Sequence, residues 1–153
     1  MSTVETSAGA RAARRASRRP RVQHLITADE HSLTDLQILL TTLPLCAVGR
    51  VFIEVPDADH IGTVSAPARM TVTWLPRKRR DGVRRAAGVA LTRAAVAWAD
   101  EMLCDESEGA LRTEVVLLGD YVSTADIAEH LTRRLEIDAA AIRTPARYGI
   151  ARF

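Results

Sequence analysis

The sequence has few aromatic residues, which make up only 4% of its 153 positions. Any hydrophobic core must therefore be built mainly from aliphatic side chains. The two cysteines, Cys46 and Cys104, belong to no CxxC motif and to no Cys/His spacing that suits zinc. The sequence thus predicts neither a disulfide framework nor a metal site, as is usual in the reducing cytoplasm.

Long apolar runs and the common catalytic motifs are also missing. No stretch approaches the length that spans a bilayer, and no hydrophobic segment follows the N-terminal arginine pairs as it would in an export signal. We therefore expect no membrane span and a cytoplasmic protein. The chain has no P-loop, serine nucleophile elbow or GxGxxG fingerprint, and no pair of its four histidines has metal-ligand spacing. We assign no catalytic residue and no metal ligand.

Positive charge is segregated along the chain. Residues 11–21 contain six arginines, and residues 77–85 contain five arginines and one lysine, so two short runs hold twelve of the 21 basic residues. Residues 1–21 are otherwise mostly Ala, Ser and Thr, a composition that buries too little apolar surface to fold. We predict a disordered Arg/Ala-rich tail at 1–21, which binds nucleic acid at most weakly through unspecific charge, and one folded domain at 22–153.

The rest of the chain alternates between strand and helix patterns. Apolar, β-branched runs predict strands at 22–26, 47–55, 69–75, 113–118 and 142–150. Helical spacing of apolar residues predicts helices from Leu33, over 86–103, and from an N-cap at Ser123. Strands that are apolar on both faces are typical of parallel sheets, so we predict an α/β fold of three layers with a mostly parallel sheet.

The turn between the first strand and helix, residues 27–32, is the most informative stretch. Ser32 stands where an N-cap is expected, and Asp35 follows it as in a capping box. In open α/β sheets this turn is where backbone amides bind phosphates. The turn contains no glycine, however, and the carboxylates of Asp29 and Glu30 would repel a pyrophosphate. The residues alone leave two interpretations open: a phosphate site, or only a capped first helix.

Several landmarks occur in a familiar order. They are HLITADEHSL at 24–33, FIEV at 52–55, VTWL at 72–75 with RDG at 80–82, and the Gly119-Asp120 pair after an apolar strand. The series resembles the C-terminal NAD(P)H-binding half of the siderophore-interacting protein family, with its GDETAL turn, VTWLHRDG segment and GE pair. Members of this family are flavin-dependent ferric-siderophore reductases related to ferredoxin reductases. The resemblance covers roughly residues 22–149 and implies a Rossmann-like domain similar to the NAD(P)-binding domain of ferredoxin reductases.

The sequence departs from this family in three ways. Ala28 replaces the glycine of the first turn, which adds a Cβ where the backbone approaches a pyrophosphate. The aromatic end of the family is replaced by residues 146–150, of which only Tyr148 is aromatic. The flavin-binding β-barrel with its RxY[ST] motif is missing from this sequence. A nicotinamide-binding domain without a flavin has no acceptor for the hydride.

The resemblance implies cofactor-binding residues at the carboxyl ends of the strands. Those expected to line a nicotinamide nucleotide, NADPH or NADH, are Thr27, Ala28, Asp29, Glu30, Ser32, Gly119 and Asp120. Arg77 and Arg80 would bind the 2′-phosphate of NADPH because guanidinium groups suit phosphate, whereas the competing interpretation of this basic run is a solvated loop. Tyr148 would stack near the nicotinamide or flavin.

Two functions follow from the resemblance. In the first, the chain is the NAD(P)H-binding half of a ferric-siderophore reductase system in iron acquisition, and a separate partner protein carries FAD. The chain would then meet the ferric siderophore only indirectly, and we expect the isolated chain to carry no flavin and to have no reductase activity. In the second, it is a catalytically degenerate Rossmann-like interaction or regulatory domain. Association with nucleic acid through the arginine-rich runs ranks last, since no recognition-helix pattern accompanies them.

Overall fold

The computed structural model describes residues 21–103 and 111–150. Within these ranges the chain forms five strands and three helices. In chain order they are β1 (Arg21–Asp29), α1 (Leu33–Thr42), β2 (Val48–Val55), β3 (Arg69–Pro76), α2 (Val89–Met102), β4 (Leu111–Leu117), α3 (Tyr121–Arg134) and β5 (Ile142–Arg143). Single 3₁₀ turns lie at 58–60, 139–141 and 146–148. The alternation of strand and helix predicted from the sequence is confirmed.

The strands form one sheet in the order β3-β2-β1-β4-β5, and every neighbouring pair is parallel. Ile26, in the middle of β1, stands opposite Val51 of β2 on one side and Val116 of β4 on the other. The chain builds outwards from β1 to β3 and then crosses to β4. The order therefore reverses between β1 and β4, and in open parallel sheets ligands bind beyond the carboxyl ends of the strands at such a point.

Helices cover both faces of the sheet. On one face α1 packs over a cluster of buried aliphatic residues that includes Ile26, Leu36, Leu40, Val51 and Ile53. On the other face α2 and α3 pack over a second cluster that includes Leu25, Leu91, Val115, Ile127 and Leu131. The predicted three layers and the aliphatic core are both confirmed. Their packing fixes the carboxyl edge of the sheet, the edge at which the parallel strands end.

Three predicted elements differ in the structure. Strand β1 runs to Asp29, so Thr27, Ala28 and Asp29 belong to the strand and not to the turn predicted at 27–32. The last strand is only two residues long and is followed by a 3₁₀ turn capped by Pro145, because proline lacks the amide that a longer strand would need. Helix α3 begins at Tyr121, so the predicted N-cap at Ser123 is wrong. Its cap is Asp120, whose Oδ1 accepts hydrogen bonds from the amides of Val122 at 3.0 Å and Ser123 at 3.1 Å.

Parts of the chain named in the sequence analysis are not covered by this description. The tail predicted at 1–21 lies outside the described residues except for Arg21, which begins β1. Cys104 also lies outside them. Of the helices at 33–42, 89–102 and 121–134, none is long and apolar enough to cross a membrane.

Candidate functional site

The turn after β1 is held together by its own side chains. The Ser32 hydroxyl donates to Asp29 Oδ1 at 2.9 Å, and its oxygen accepts from the Asp29 backbone amide at 2.9 Å. The His31 amide donates to the same Asp29 oxygen at 3.0 Å. Asp29 is only 7% exposed. Its Oδ1 is thus occupied by donors of the turn itself.

Helix α1 begins without a side-chain cap. Ser32 occupies the N-cap position, as predicted, but its hydroxyl is bonded to Asp29 and caps no amide of the first helical turn. Asp35, predicted as the capping-box partner, is exposed. The first amides of a helix and the positive end of its dipole attract anions. The N-terminus of α1 therefore leaves backbone donors open at the carboxyl edge of the sheet.

The second carboxylate of the turn, that of Glu30, is paired with Arg77, the residue that follows β3. Arg77 donates to Glu30 through both Nη atoms, with Nη1 at 3.2 Å from Oε2. The two side chains are 14% and 18% exposed. Burial alone would raise the pKa of Glu30, but the hydrogen bond and charge of Arg77 outweigh burial and lower it. The hydrogen bonds that Arg77 donates to Glu30 in turn raise the pKa of Arg77 above its ordinary value.

A further acidic residue, Glu54 at the end of β2, joins this pair. It is 1% exposed and lies 3.5 Å from Arg77 Nη1. Its Oε2 accepts from the Gly88 amide at 2.7 Å, and its Oε1 accepts from the amides of Ala90 and Leu91, both at 3.2 Å. Glu54 thus caps α2 from a neighbouring strand. Sequence reasoning missed this role, although a lone acid in the apolar run FIEV was a signal for it.

The basic run forms a defined hairpin, residues 77–85, which we call the basic hairpin. Backbone hydrogen bonds join Arg85 to Arg77 at 3.1 Å and Arg79 to Val83 at 2.9 Å. Four of its basic side chains are exposed: Lys78, Arg79, Arg80 and Arg84. Arg80 has no hydrogen-bond or ion-pair partner within the described part of the chain. The hairpin follows β3, so it presents these charges beside the carboxyl edge of the sheet.

On the far side of the switch point, the segment after β4 meets the C-terminal 3₁₀ turn. The Tyr148 hydroxyl donates to the carbonyl oxygen of Gly119 at 2.8 Å. The Tyr121 ring packs edge-on against the Tyr148 ring, with centroids 5.6 Å apart, and the Arg147 guanidinium lies 4.8 Å from the centre of the Tyr148 ring. The carboxylate of Asp120, between Gly119 and Tyr121, caps α3.

Two predicted residues at the end of β1 face opposite sides of the sheet. Ala28 is fully buried in the cluster under α1, so its Cβ lies in the core. Thr27 is fully buried as well, and its hydroxyl has no hydrogen-bond partner among the described residues. The backbone amides at the uncapped start of α1 provide donors of the kind that the phosphates of a nicotinamide nucleotide require. The residues present thus fit such a cofactor.

The structure brings most of the predicted site residues to one edge of the sheet. The turn after β1, Arg77 and the Gly119-Asp120 pair all follow strands that end there. Arg77 contacts the turn through Glu30. Arg80, in contrast, has no hydrogen-bond or ion-pair partner among the described residues. Across 21–103 and 111–150, no group of His, Cys, Asp and Glu side chains is arranged to hold a metal ion. The amides, hydroxyls and guanidinium groups at this edge of the sheet are suited to binding anions.

Comparison with models of known protein families identifies the family of the chain. The model of the family described as siderophore-interacting protein matches residues 22–146, which is most of the chain. The chain belongs to the siderophore-interacting protein family. A search of curated proteins found no match.

Solved structures of siderophore-interacting proteins have a similar fold. The protein SipS from Aeromonas hydrophila is 17% identical with a TM-score of 0.57, and the match covers 81% of this chain and 49% of SipS. A siderophore utilization protein from T. fusca is 22% identical with a TM-score of 0.56, over 82% of this chain and 44% of that one. The siderophore-interacting protein from Acinetobacter baumannii is 12% identical with a TM-score of 0.54, over 83% and 45%. The matched region thus covers less than half the length of each of these structures.

Proposed function

We propose that this chain is the NAD(P)H-binding half of a cytoplasmic ferric-siderophore reductase system, and that a separate partner protein carries the FAD. The observation that carries the proposal is that the protein itself supplies hydrogen-bond donors to both carboxylates of the first turn. Asp29 is bonded to His31 and Ser32, and Glu30 is paired with Arg77. Both carboxylates thus already have donors within the protein, while the start of α1 keeps backbone donors open.

The arrangement supports one orientation of the nucleotide along the carboxyl edge. The pyrophosphate would lie at the start of α1, where the first backbone amides have no side-chain cap. The adenosine 2′-phosphate of NADPH would lie on the side of β2 and β3, within reach of Arg77 and Arg80. The nicotinamide would lie on the other side, towards Gly119 and the ring of Tyr148. Bound NAD(P)H supplies a hydride, and the residues of this chain would bind and orient it.

The second candidate is a degenerate interaction or regulatory domain. One observation favours it: the guanidinium of Arg77 is already bonded to Glu30 and lies 3.5 Å from Glu54, so it is not free to meet a phosphate. In this function the ion pairs at the carboxyl edge would only hold the loops together. The two candidates differ in whether nicotinamide nucleotides bind.

Calorimetric titration of the purified chain with NADPH and NADH, at low and moderate salt, separates them. We expect binding that is tighter for NADPH and weakens as salt is added, because a phosphate contact is screened by ions. Circular dichroism on the same sample checks that the chain is folded. A folded chain that releases no heat with either nucleotide would overturn the proposal in favour of the degenerate domain.

The flavin half of the proposal needs its own observation. We expect the purified chain to be colourless and to reduce no ferric complex with NADPH alone. A yellow preparation with a flavin absorption spectrum would contradict the assignment of FAD to a partner.

A further inference from the structure

The ion pair between Glu30 and Arg77 joins two residues that the proposed nucleotide site would use. Glu30 lies in the turn expected to approach the pyrophosphate, and Arg77 is expected to meet the 2′-phosphate. Both Nη atoms of Arg77 donate to the two carboxylate oxygens of Glu30. Guanidinium groups bind phosphates in the same two-pronged way as carboxylates. A carboxylate of the protein therefore occupies the position that a phosphate would take.

Charge strengthens this competition. Glu30 and Glu54 together carry two negative charges against the single positive charge of Arg77. While Glu30 is in place, these three side chains carry a net negative charge. A phosphate that approaches Arg77 from any side is therefore repelled. Removing Glu30 from the guanidinium would leave one positive and one negative charge, and the exposed cations of the basic hairpin would then dominate.

The second carboxylate keeps Arg77 in position. Glu54 is fixed by three backbone amides at the start of α2, those of Gly88, Ala90 and Leu91, and lies 3.5 Å from Arg77 Nη1. Glu30, in contrast, stands in a turn, and the exposed ring of His31 lies 3.8 Å from its Oε1. Glu30 is therefore the partner that can leave, and Arg77 would remain anchored when it does.

We infer that Glu30 is a specificity-determining residue of the phosphate subsite: its carboxylate holds Arg77, and a 2′-phosphate must displace it to bind. This inference rests on the proposed function for the identity of the ligand. In this inference Glu30 does not bind the nucleotide. Its carboxylate competes with the phosphate for Arg77 and so opposes phosphate binding. Affinity for NADPH is then set by the exchange of one anion for another on Arg77, whereas NADH, which lacks the 2′-phosphate, does not depend on this exchange.

The variant that tests this is Glu30→Gln, which keeps the size of the side chain and removes its charge. We expect NADPH to bind about tenfold more tightly to this variant than to the unaltered chain, with the affinity for NADH little changed. Glu129→Gln is the matched control. It makes the same substitution in another Glu–Arg pair, with Arg133 at 2.7 Å, but on the exposed surface of α3 away from the first turn.

A double-mutant cycle shows whether the gain passes through Arg77. In the background of Arg77→Gln, the substitution Glu30→Gln should no longer tighten NADPH binding. A gain of the same size without Arg77 would mean that Glu30 acts only through general repulsion, and the inference would be overturned. Weaker NADPH binding by Glu30→Gln alone would overturn it as well, because Glu30 would then position Arg77 for the ligand.

Adenosine 2′,5′-bisphosphate, titrated into the same variants, separates this inference from the proposed function. If it binds more tightly to Glu30→Gln while no variant binds NADPH or NADH, the inference stands and the proposed function fails. If NADPH binds equally to the unaltered chain and to Glu30→Gln, the proposed function stands and the inference fails. If none of the three ligands binds to any variant, both are overturned.

Discussion

Glu54 accepts a hydrogen bond at 2.7 Å from the backbone amide of Gly88, the residue that precedes α2. The contact joins the end of β2 to the start of a helix that is 34 positions further along the chain. A carboxylate at a helix N-terminus satisfies free amides and interacts favourably with the helix dipole. The same carboxylate faces Arg77. One buried acid thus links the position of α2 to that of the arginine at the candidate site.

We predict that Glu54→Gln lowers the free energy of unfolding by about 2 kcal/mol. The side-chain NH₂ group of glutamine would face backbone N–H groups at the start of α2, so that buried donors would lose an acceptor. Urea unfolding followed by circular dichroism measures the loss. Glu129→Gln, in an exposed ion pair, should change stability little. Equal losses in the two variants would show that Glu54 is not the cap of α2.

Gly88 and Gly82 allow a second, internally controlled test. Both have left-handed backbones, with φ of +82° and +83°, so alanine is strained equally at either position. A Cβ at Gly88 would lie 2.7 Å from Asp120 Oδ2 and 3.0 Å from Ser123 Cβ, whereas at Gly82 nothing lies within 4 Å. Asp120 cannot move freely because it caps α3.

We therefore expect Gly88→Ala to lose about 2 kcal/mol more unfolding free energy than Gly82→Ala. The comparison of the two midpoints in urea removes the backbone contribution that both variants share. If the two variants are equally stable, the starts of α2 and α3 are not packed as closely as the structure indicates.

The sequence predicted the fold well because the relevant signals are local. The apolar run of β2 and the spacing of Leu36 and Leu40 in α1 each depend on a few consecutive residues, and these two elements appear where expected. Strand β1 was predicted too short, because its last residues, up to Asp29, are polar or small and lack the apolar signal. The family resemblance rested on similarly short segments, and the family match confirms it. The N-cap prediction at Ser123 was wrong because two possible capping residues, Asp120 and Ser123, stand three positions apart. Only the packing of the helix start decides between them.

The candidate site could be predicted only in part, since its key contacts join distant positions. The sequence pointed to Glu30 and Arg77 separately, but their pairing spans 47 positions and depends on the parallel order of β1, β2 and β3. The role of Glu54 depends on the same order. Local patterns identify which residues can bind an anion, whereas tertiary packing decides which of them are already bound to each other.

His24, near the start of β1, makes stability depend on pH. It is 3% exposed, and its Nδ1 has no hydrogen-bond partner within the described part of the chain. Burial lowers the pKa of His24 from its ordinary value of 6.5; the charge of Glu114 opposes this shift and that of Arg143 adds to it. The unfolded chain therefore takes up a proton at a higher pH than the folded one. Stability is fully present above about pH 6.5 and is lost as pH falls towards the lower pKa of the folded state.

We expect His24→Gln to reduce this loss, because the variant cannot take up the proton. The measurement is the urea midpoint of both proteins between about pH 5 and pH 8. Carboxylates that titrate in the same range affect both proteins alike, so the difference between the two curves reports His24. Parallel curves would mean that His24 is protonated as readily in the folded state as in the unfolded one.

The assignment of the 2′-phosphate to the side of β2 and β3 yields the last prediction. Replacing Arg77 and Arg80 together by alanine should weaken NADPH binding by about tenfold or more, while NADH binding falls less, because only NADPH places a phosphate near these guanidinium groups. Arg133→Ala with Arg134→Ala removes the same charge from the exposed last turn of α3 and is the matched control. Calorimetry with both nucleotides gives the ratio of affinities for each variant. If the Arg77/Arg80 variant loses affinity for NADPH and NADH equally, these arginines act through general charge and the 2′-phosphate binds elsewhere.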